Sequence, residues 1–106
     1  MEFLPKKKLT VNNSTTYAYV SNLAEESKPT FLLLHGFPSS SYDWRKTIPD
    51  LIEAGYGVVV PDLLGYGDTD KPTALEEYKL STMSAHIARI LENEGLSSVV
   101  GVGHDW

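Results

Sequence analysis

Residues 98–106 read SVVGVGHDW, a short β-branched run that ends in Gly-His-Asp-Trp. Val99, Val100 and Val102 predict a strand buried on both faces, and Gly103 allows the chain to turn sharply after it without a Cβ clash. Asp105 then lies at the tip of the turn, where its carboxylate is ionised at neutral pH and can attack carbon without a base. Taken alone, an aspartate at such a place is more typical of a helix or turn cap.

The composition indicates one globular domain of 106 residues, 42% hydrophobic and 22% charged. A net charge of -5 with only nine Lys and Arg argues against nucleic acid as a partner, and the basic run Lys6–Lys8 is predicted to be a solvated strand or terminus. The chain has no cysteine, which excludes a disulfide framework and a thiolate metal site. Without a signal peptide or an apolar run of roughly 18 residues, the sequence predicts a cytoplasmic protein with no membrane span.

Near its N-terminus, the sequence predicts a hairpin. The β-rich runs Leu9–Val11 and Thr15–Val20 flank the turn-forming residues Asn12–Ser14. The alternation of Tyr17 and Tyr19 predicts one covered face on the second strand.

Strands and helices alternate after the hairpin. Thr30–Leu34 and Val58–Val60 are short continuous apolar runs, which predict interior strands. Between them, Tyr42–Gly55 has a helical pattern, but Pro49 lies inside it and predicts a kink or two short pieces. A second helix is predicted over 81–94, with Ser81 as its N-cap and a glycine at 95 as its terminator.

This order of elements predicts an α/β fold with a mostly parallel sheet, an N-terminal antiparallel hairpin and helices on both faces. The chain ends at the apex of a turn that ought to lead into another helix. We therefore expect residues 1–106 to be the front portion of a longer domain, with the last strand as an open, apolar edge when the rest is missing.

Two motifs follow predicted parallel strands, and both point to the same end of the sheet. His35-Gly36-Phe37-Pro38 follows one strand and Gly103-His104-Asp105-Trp106 the other, with the loop PDLLGYGDT at 61–69 between them. Together they resemble the aspartate-nucleophile branch of the α/β-hydrolase fold family, and within it the epoxide hydrolases. Residues 1–106 are then the N-terminal part of the core domain, up to the nucleophile elbow, whose first four positions are matched.

The resemblance implies that Asp105 is the nucleophile, which attacks an epoxide carbon to form an alkyl-enzyme ester. The backbone N–H groups of Phe37 and Trp106 would form the oxyanion hole, which stabilises charge when water attacks the ester. The loop-shaping and elbow residues implied are His35, Gly36, Pro38, Gly103 and His104. The implied partners are a small apolar epoxide and water, with no cofactor and no metal, while the base, the orienting acid and the lid tyrosines lie after position 106 in this family.

Three other polar residues are interpreted structurally. His86 is predicted to lie on a helix surface, and His104 is interpreted as a packing or orienting residue. Asp62 is interpreted as a loop cap and not as an acid.

Several alternatives stay open at this point. Haloalkane dehalogenases also have a tryptophan after the nucleophile, but they usually need a second halide donor where Phe37 stands. Haloacetate dehalogenases favour arginine at the position of Trp106, and serine esterases are disfavoured because Asp105 occupies the nucleophile position. A non-catalytic fragment or an interaction module that pairs through its exposed edge is a further possibility. Substrate size, stereochemistry and oligomeric state are undetermined by the sequence.

Overall fold

The computed structural model describes residues 4–11, 15–36 and 39–103, which form a five-stranded sheet with helices on both faces. Its elements in chain order are β1 (Lys7–Thr10), β2 (Thr16–Asn22), β3 (Thr30–Leu34), α1 (Thr47–Glu53), β4 (Gly57–Pro61), α2 (Leu80–Asn93) and β5 (Val100–Gly103). Two 3-10 helical turns cover Ser41–Trp44 and Leu75–Tyr78. The predicted turn Asn12–Ser14 and the site residues Phe37, Pro38, His104, Asp105 and Trp106 lie outside the described residues.

The order of the strands across the sheet is β1-β2-β4-β3-β5. β2 pairs antiparallel with both β1 and β4, whereas β3 pairs parallel with both β4 and β5. The sheet is therefore mixed, with a parallel part formed by the last three strands of the chain. The predicted α/β architecture, with an N-terminal antiparallel hairpin and helices on both faces of the sheet, is confirmed.

Side chains of the central strands alternate between two apolar cores. One core lies under α2 and contains Tyr17, Tyr19 and Val59 packed against Ile90. The other lies under α1. Its buried members are Val20, Leu33, Ile48, Val58 and Val60. Because all residues from 17 to 20 are buried, both faces of β2 are covered, and the prediction of one covered face was wrong.

The predicted helix over 42–55 forms as two short pieces. A 3-10 turn over Ser41–Trp44 comes first, and Ser40 caps it by accepting a hydrogen bond from the N–H of Tyr42. α1 follows, with Pro49 in its first turn, where a proline removes no intrahelical hydrogen bond. This outcome confirms the interruption that Pro49 predicts.

The helix α2 begins one residue earlier than the sequence indicates. It starts at Leu80 after Lys79, whose side chain makes no capping bond, so the prediction of Ser81 as N-cap was wrong. Its predicted end is confirmed, because the glycine at 95 has a φ of 76° and stops the helix. Within the residues that the structure describes, no helix is both long and apolar enough to cross a membrane.

The strand β5 lies at the edge of the sheet, beside β3. Val100 is 44% exposed and Val102 is partly buried, so the prediction that this strand is buried on both faces was wrong for the described chain. Burial on both faces needs cover from further elements, and the described residues place only β3 next to β5. The strand is the open apolar edge that the sequence also predicts.

Candidate active site

The chain leaves β3 and β4 towards opposite faces of the sheet. After β3 it continues to α1 on one face, and after β4 it continues to α2 on the other. Such a divergence between neighbouring parallel strands opens a crevice at their carboxyl ends, which is where open α/β sheets bind ligands. The described residues of segment 35–41 and the segment 62–70 border this crevice and form the candidate site.

Gly103, the first residue of the predicted elbow, lies next to the start of segment 35–41. The register of the parallel pair β3 and β5 places Leu34 opposite Gly103, and these are the last residues of their strands. The last described residue of β5 therefore lies beside the point at which the chain leaves β3. The side chain of Asp105 and the N–H groups of Phe37 and Trp106 lie outside the described residues.

His35 is buried between the two segments. Its Nε2 accepts a hydrogen bond of 2.9 Å from the N–H of Leu63, so Nε2 carries no proton. Nδ1 then holds the ring proton and lies 3.0 Å from the carbonyl oxygen of Gly36, to which it donates. The ring edge of Tyr66 also packs against His35, at 5.3 Å between centroids. With both nitrogens engaged in holding backbone, His35 occupies a position that suits a structural role.

Gly36 is buried, and its carbonyl oxygen has two hydrogen-bond donors. Its oxygen accepts hydrogen bonds from the Nδ1–H of His35 and from the N–H of Ser39, each 3.0 Å long. The described residues on either side of positions 37 and 38 are thus joined directly to each other.

Asp62 is the polar centre of the second segment, with a fully buried side chain. Its Oδ1 accepts a 2.7 Å hydrogen bond from the N–H of Ser41, and its Oδ2 accepts one of 3.0 Å from the N–H of Asp68. Burial alone would raise the pKa of Asp62, but hydrogen bonds from Lys6, Asp68 and Ser41 hold it below its ordinary value. The interpretation of Asp62 as a loop cap is confirmed.

Lys6 supplies the cation that pairs with this buried carboxylate. Its Nζ lies 2.7 Å from Oδ2 of Asp62 and 2.9 Å from Oδ2 of Asp68. Partial burial opposes the charge on Lys6, but the two carboxylates outweigh it and raise its pKa. The prediction that the run Lys6–Lys8 is solvated was therefore wrong for Lys6. A local sequence pattern cannot reveal a partner as distant in the sequence as Asp62.

The 62–70 segment is held tightly despite its many turn residues. Thr69 is buried, and its hydroxyl donates to the carbonyl oxygen of Asp62 at 2.6 Å while accepting from the N–H of Ala18 at 3.0 Å. Gly67 has a φ of 52°, and a Cβ there would overlap the carboxylate of Asp62. A glycine at 67 is thus required both by the backbone conformation and by the close approach of Asp62.

His86 is buried, so the prediction that it lies on a helix surface was wrong. Its Nδ1 lies 3.1 Å from the hydroxyl of Tyr17, with which it shares a hydrogen bond. Burial lowers the pKa of His86, while the charge of Glu77 acts in the opposite direction. The spacing contained the signal: position 86 falls three residues after Met83 and four before Ile90, on the apolar face of α2.

An apolar cavity of about 210 Å³ lies beside the candidate site. Leu34 and Gly103 line it at the strand ends, together with Leu63 and the α2 residues Leu80, Met83 and Ile87. Its described lining contains no ionisable side chain, and we assign no chemistry to it.

Comparisons with known proteins agree with this architecture. The sequence model described as the alpha/beta hydrolase fold matches residues 29–106. Among known proteins, Epoxide hydrolase A of Mycobacterium tuberculosis is 38% identical over 102 residues, which are 96% of this chain and 31% of the relative.

Solved structures resemble the chain closely. An epoxide hydrolase mutant from Vigna radiata has a TM-score of 0.88 and 33% identity, and the match covers 100% of this chain and 32% of that one. A haloalkane dehalogenase from Paraglaciecola agarilytica has a TM-score of 0.84 and 34% identity, with 97% of this chain and 36% of that one covered. The chain thus spans about a third of the length of the proteins it matches.

Proposed function

The chain belongs to the alpha/beta hydrolase fold family, and from this premise we propose that it is part of an epoxide hydrolase, which adds water to an epoxide to give a vicinal diol. Relatives named as epoxide hydrolases support the activity, and the HGFP and GHDW motifs support the reaction type. We also propose a cytoplasmic location, with which the absence of cysteine agrees.

One observation carries the proposal. Leu34 and Gly103 are paired at the ends of adjacent parallel strands, so the two motifs start from neighbouring points at the same edge of the sheet. Ligands of open α/β sheets bind at this edge. The arrangement favours a shared cavity for the Asp105 carboxylate and the amide hydrogens near Pro38.

In the proposed first step, a carboxylate oxygen of Asp105 forms a bond to an epoxide carbon while the C–O bond of the ring breaks. The released oxygen takes a proton from an acid outside residues 1–106. The product is an alkyl ester on Asp105. Asp105 needs no base for this step, because a carboxylate is already ionised at neutral pH.

In the proposed second step, water attacks the carbonyl carbon of the Asp105 ester and gives its proton to a base outside residues 1–106. Negative charge develops on the carbonyl oxygen of the ester, to which the N–H groups of Phe37 and Trp106 donate hydrogen bonds. One such donor can be worth about 3 kcal/mol. Collapse of this intermediate releases the diol and restores the carboxylate.

The remaining motif residues support this machinery by shaping it. His35 and Gly36 hold the backbone on the N-terminal side of Phe37 through the bonds described above, and Pro38 restricts its own φ and the conformation of Phe37 before it. Gly103 permits a sharp turn after β5, and His104 orients or packs the elbow. A small apolar epoxide and water are the proposed partners.

Haloalkane dehalogenation is the second candidate, since a haloalkane dehalogenase matches this fold with a TM-score of 0.84. Both reactions form an ester on an aspartate, so the fold of this region suits either. Phe37 decides between them: its apolar ring cannot donate to a departing halide, for which a second donor is usually needed. Epoxide hydrolysis is therefore favoured.

The test is mass spectrometry of the full-length protein during turnover of an epoxide. We expect a transient adduct on the peptide that contains Asp105. Asp105→Ala should lower diol formation by more than about 10³-fold, as loss of a nucleophile does. Asp50→Ala, which changes an exposed aspartate on α1, is the matched control and should retain activity.

Two outcomes would overturn the proposal. Undiminished diol formation by Asp105→Ala would exclude the nucleophile, and halide release from a haloalkane without diol formation from epoxides would favour the dehalogenase. Residues 1–106 by themselves should show no turnover, because the proposed base and acid lie outside them.

A further inference from the structure

Asp62 connects the two segments of the candidate site, and neither of its carboxylate oxygens is left free to contact a substrate. Its side chain is fully buried, and both of its oxygens accept hydrogen bonds. Oδ1 is bound by the N–H of Ser41, and Oδ2 by Lys6 and by the N–H of Asp68. Any effect of this carboxylate on a reaction must therefore pass through the groups that it holds.

The bond from Ser41 to Asp62 is one of two bonds that cross between the segments in opposite directions. In the first, the backbone of segment 35–41 donates to a side chain of segment 62–70, at 2.7 Å. In the second, the backbone N–H of Leu63 donates to the His35 side chain, at 2.9 Å. The two bonds attach both ends of segment 35–41 to consecutive residues, 62 and 63.

Between these attachment points, the bond from the N–H of Ser39 to the carbonyl oxygen of Gly36 closes the segment on itself. Both ends of the 36–39 stretch therefore have fixed partners. A shift of Ser41 away from Asp62 would release the C-terminal end, while His35 would still hold the N-terminal end.

The carboxylate of Asp62 is itself held rigidly. Lys6 lies 2.7 Å from Oδ2, and Gly67 approaches so closely that a Cβ would overlap the carboxyl group. A buried charge with this many partners has one stable orientation, since losing any partner leaves the charge undercompensated. This property suits a group that positions the backbone of a neighbouring segment.

We propose that Asp62 is a positioning residue, which acts through the N–H of Ser41 to hold the backbone of residues 39–41 and, through it, to support the oxyanion-hole donor proposed at Phe37. The inference rests on the proposed function, in which that donor stabilises charge during hydrolysis of the ester. Loss of the Asp62 contact slows the second step and leaves the first step, attack of Asp105 on the epoxide, unchanged. A residue needed only for stability would not separate the two steps.

The test measures both steps in the full-length enzyme by single-turnover kinetics with quenching and intact-protein mass spectrometry. Asp62→Asn keeps the shape of the side chain but replaces one accepting oxygen by an NH₂ group, which cannot accept hydrogen bonds from the donors around it. We expect ester decay to slow about 10- to 100-fold, as small misplacements in active sites do, while ester formation stays within about twofold. The ester should therefore accumulate.

Glu94→Gln is the matched control. Glu94 is also a shielded carboxylate, bound by Tyr19 at 2.6 Å and by Lys7 at 3.3 Å, outside both segments of the site. We expect it to lower stability without changing the ratio of the two rates. Ester decay in Asp62→Asn that falls no further than in Glu94→Gln would overturn the inference.

Ser41→Pro tests the same bond from the donor side and serves if Asp62→Asn fails to fold. Ser41 is the first residue of its 3-10 turn and follows an extended residue, Ser40, which is a backbone position that proline favours, and the missing N–H of proline removes the bond to Asp62. We expect the same slow ester decay. Ser41→Ala, which keeps the N–H, reports the part of the effect that comes from the side chain.

Amide hydrogen exchange separates this inference from the proposed function. Exchange at residues 36–40 should be faster in Asp62→Asn than in wild type and in Glu94→Gln, whether or not an epoxide is turned over. If the wild-type protein forms no ester, the proposed function is refuted. Amide exchange at residues 36–40 would still test whether Asp62 positions this segment. Unchanged exchange at these residues would refute the positioning.

Discussion

β4 and β5 have similar sequences but different surroundings. In β4, Val58, Val59 and Val60 are each at most 1% exposed, because β2 and β3 flank the strand and an apolar core covers each face. In β5, Val100 is 44% exposed, and within the described residues only β3 pairs with the strand. A β-branched run thus predicts that a strand forms, whereas the elements packed around the strand decide whether it is buried.

The largest expected effect comes from placing a charge in each strand of the 106-residue chain. Val59→Asp buries a carboxylate without a partner and should cost about 3 to 5 kcal/mol, a large part of the roughly 5 to 15 kcal/mol by which domains are stable. Val100→Asp should change stability by less than about 1 kcal/mol, since the site is partly solvated. Urea denaturation of both variants measures the difference.

The variants Val59→Asp and Val100→Asp also test the prediction that residues 1–106 are part of a longer domain. If further chain covers β5 in a longer protein, Val100→Asp should become nearly as destabilising there as Val59→Asp. Equal losses already in the 106-residue chain would contradict the difference in burial between β4 and β5.

A smaller effect is expected from the glycines of the two strands. A Cβ on Gly57 in β4 would lie 2.8 Å from the backbone nitrogen of Ala24 and 2.5 Å from Oγ1 of Thr30, whereas a Cβ on Gly101 in β5 meets no atom within 4 Å. Gly57→Ala should therefore cost about 1 to 3 kcal/mol through overpacking. Gly101→Ala should be neutral or stabilising by up to about 1 kcal/mol, because alanine restricts the unfolded chain.

Thermal denaturation midpoints of the two glycine variants give the comparison directly. A loss in Gly101→Ala as large as in Gly57→Ala would show that β5 is crowded in solution.

The dependence of stability on pH should distinguish α2, which covers one face of β4, from the exposed strand β5. α2 covers one face of the central strands, and burial lowers the pKa of its His86 below the ordinary 6.5, against the opposing charge of Glu77. The unfolded chain therefore gains this proton at a higher pH than the folded chain, and stability falls as pH drops below 6.5. The slope is at most about 1.4 kcal/mol per pH unit.

The window from about pH 6.5 to 5 separates this effect from those of Glu94 and Asp62, because both carboxyls have lowered pKa values and their contributions are lost only in more acidic solution. His86→Gln keeps an acceptor for the hydroxyl of Tyr17 and should flatten the dependence in denaturant titrations. Val100→Thr, in β5, should leave it unchanged. Parallel pH profiles for wild type and His86→Gln would contradict the assignment to His86.

The smallest effect on stability is expected at the open edge itself. Val100→Lys should change the free energy of unfolding by less than about 0.5 kcal/mol. It should nevertheless reduce self-association of the 106-residue chain, since a lysine on an edge strand opposes pairing with another chain. Analytical ultracentrifugation over a range of concentrations measures this.

Leu23→Lys is the control, because Leu23 is 78% exposed and lies outside β5. Equal association of both lysine variants and wild type would exclude β5 as a pairing edge and with it the interaction-module alternative.

Local patterns predicted most of the elements because their causes lie within a few residues. Pro49 divides the helical region, and the glycine at 95 ends α2, as their backbone preferences require. Predictions failed where a distant partner decides. Lys6 was expected in solvent but binds Asp62, and His86 was expected on a surface but binds Tyr17.

The sequence by itself determined where strands and helices form and which motifs follow the parallel strands, since these depend on short-range backbone preferences and on apolar periodicity. Only the tertiary structure decided how the candidate site is held. Its defining hydrogen bonds join residues 28 positions apart in His35 and Leu63, 21 apart in Ser41 and Asp62, and 56 apart in Lys6 and Asp62. The first two bonds exist only once β3 lies beside β4, because the order of strands in the sheet brings their carboxyl ends together. The third also needs β2 to pair with both β1 and β4.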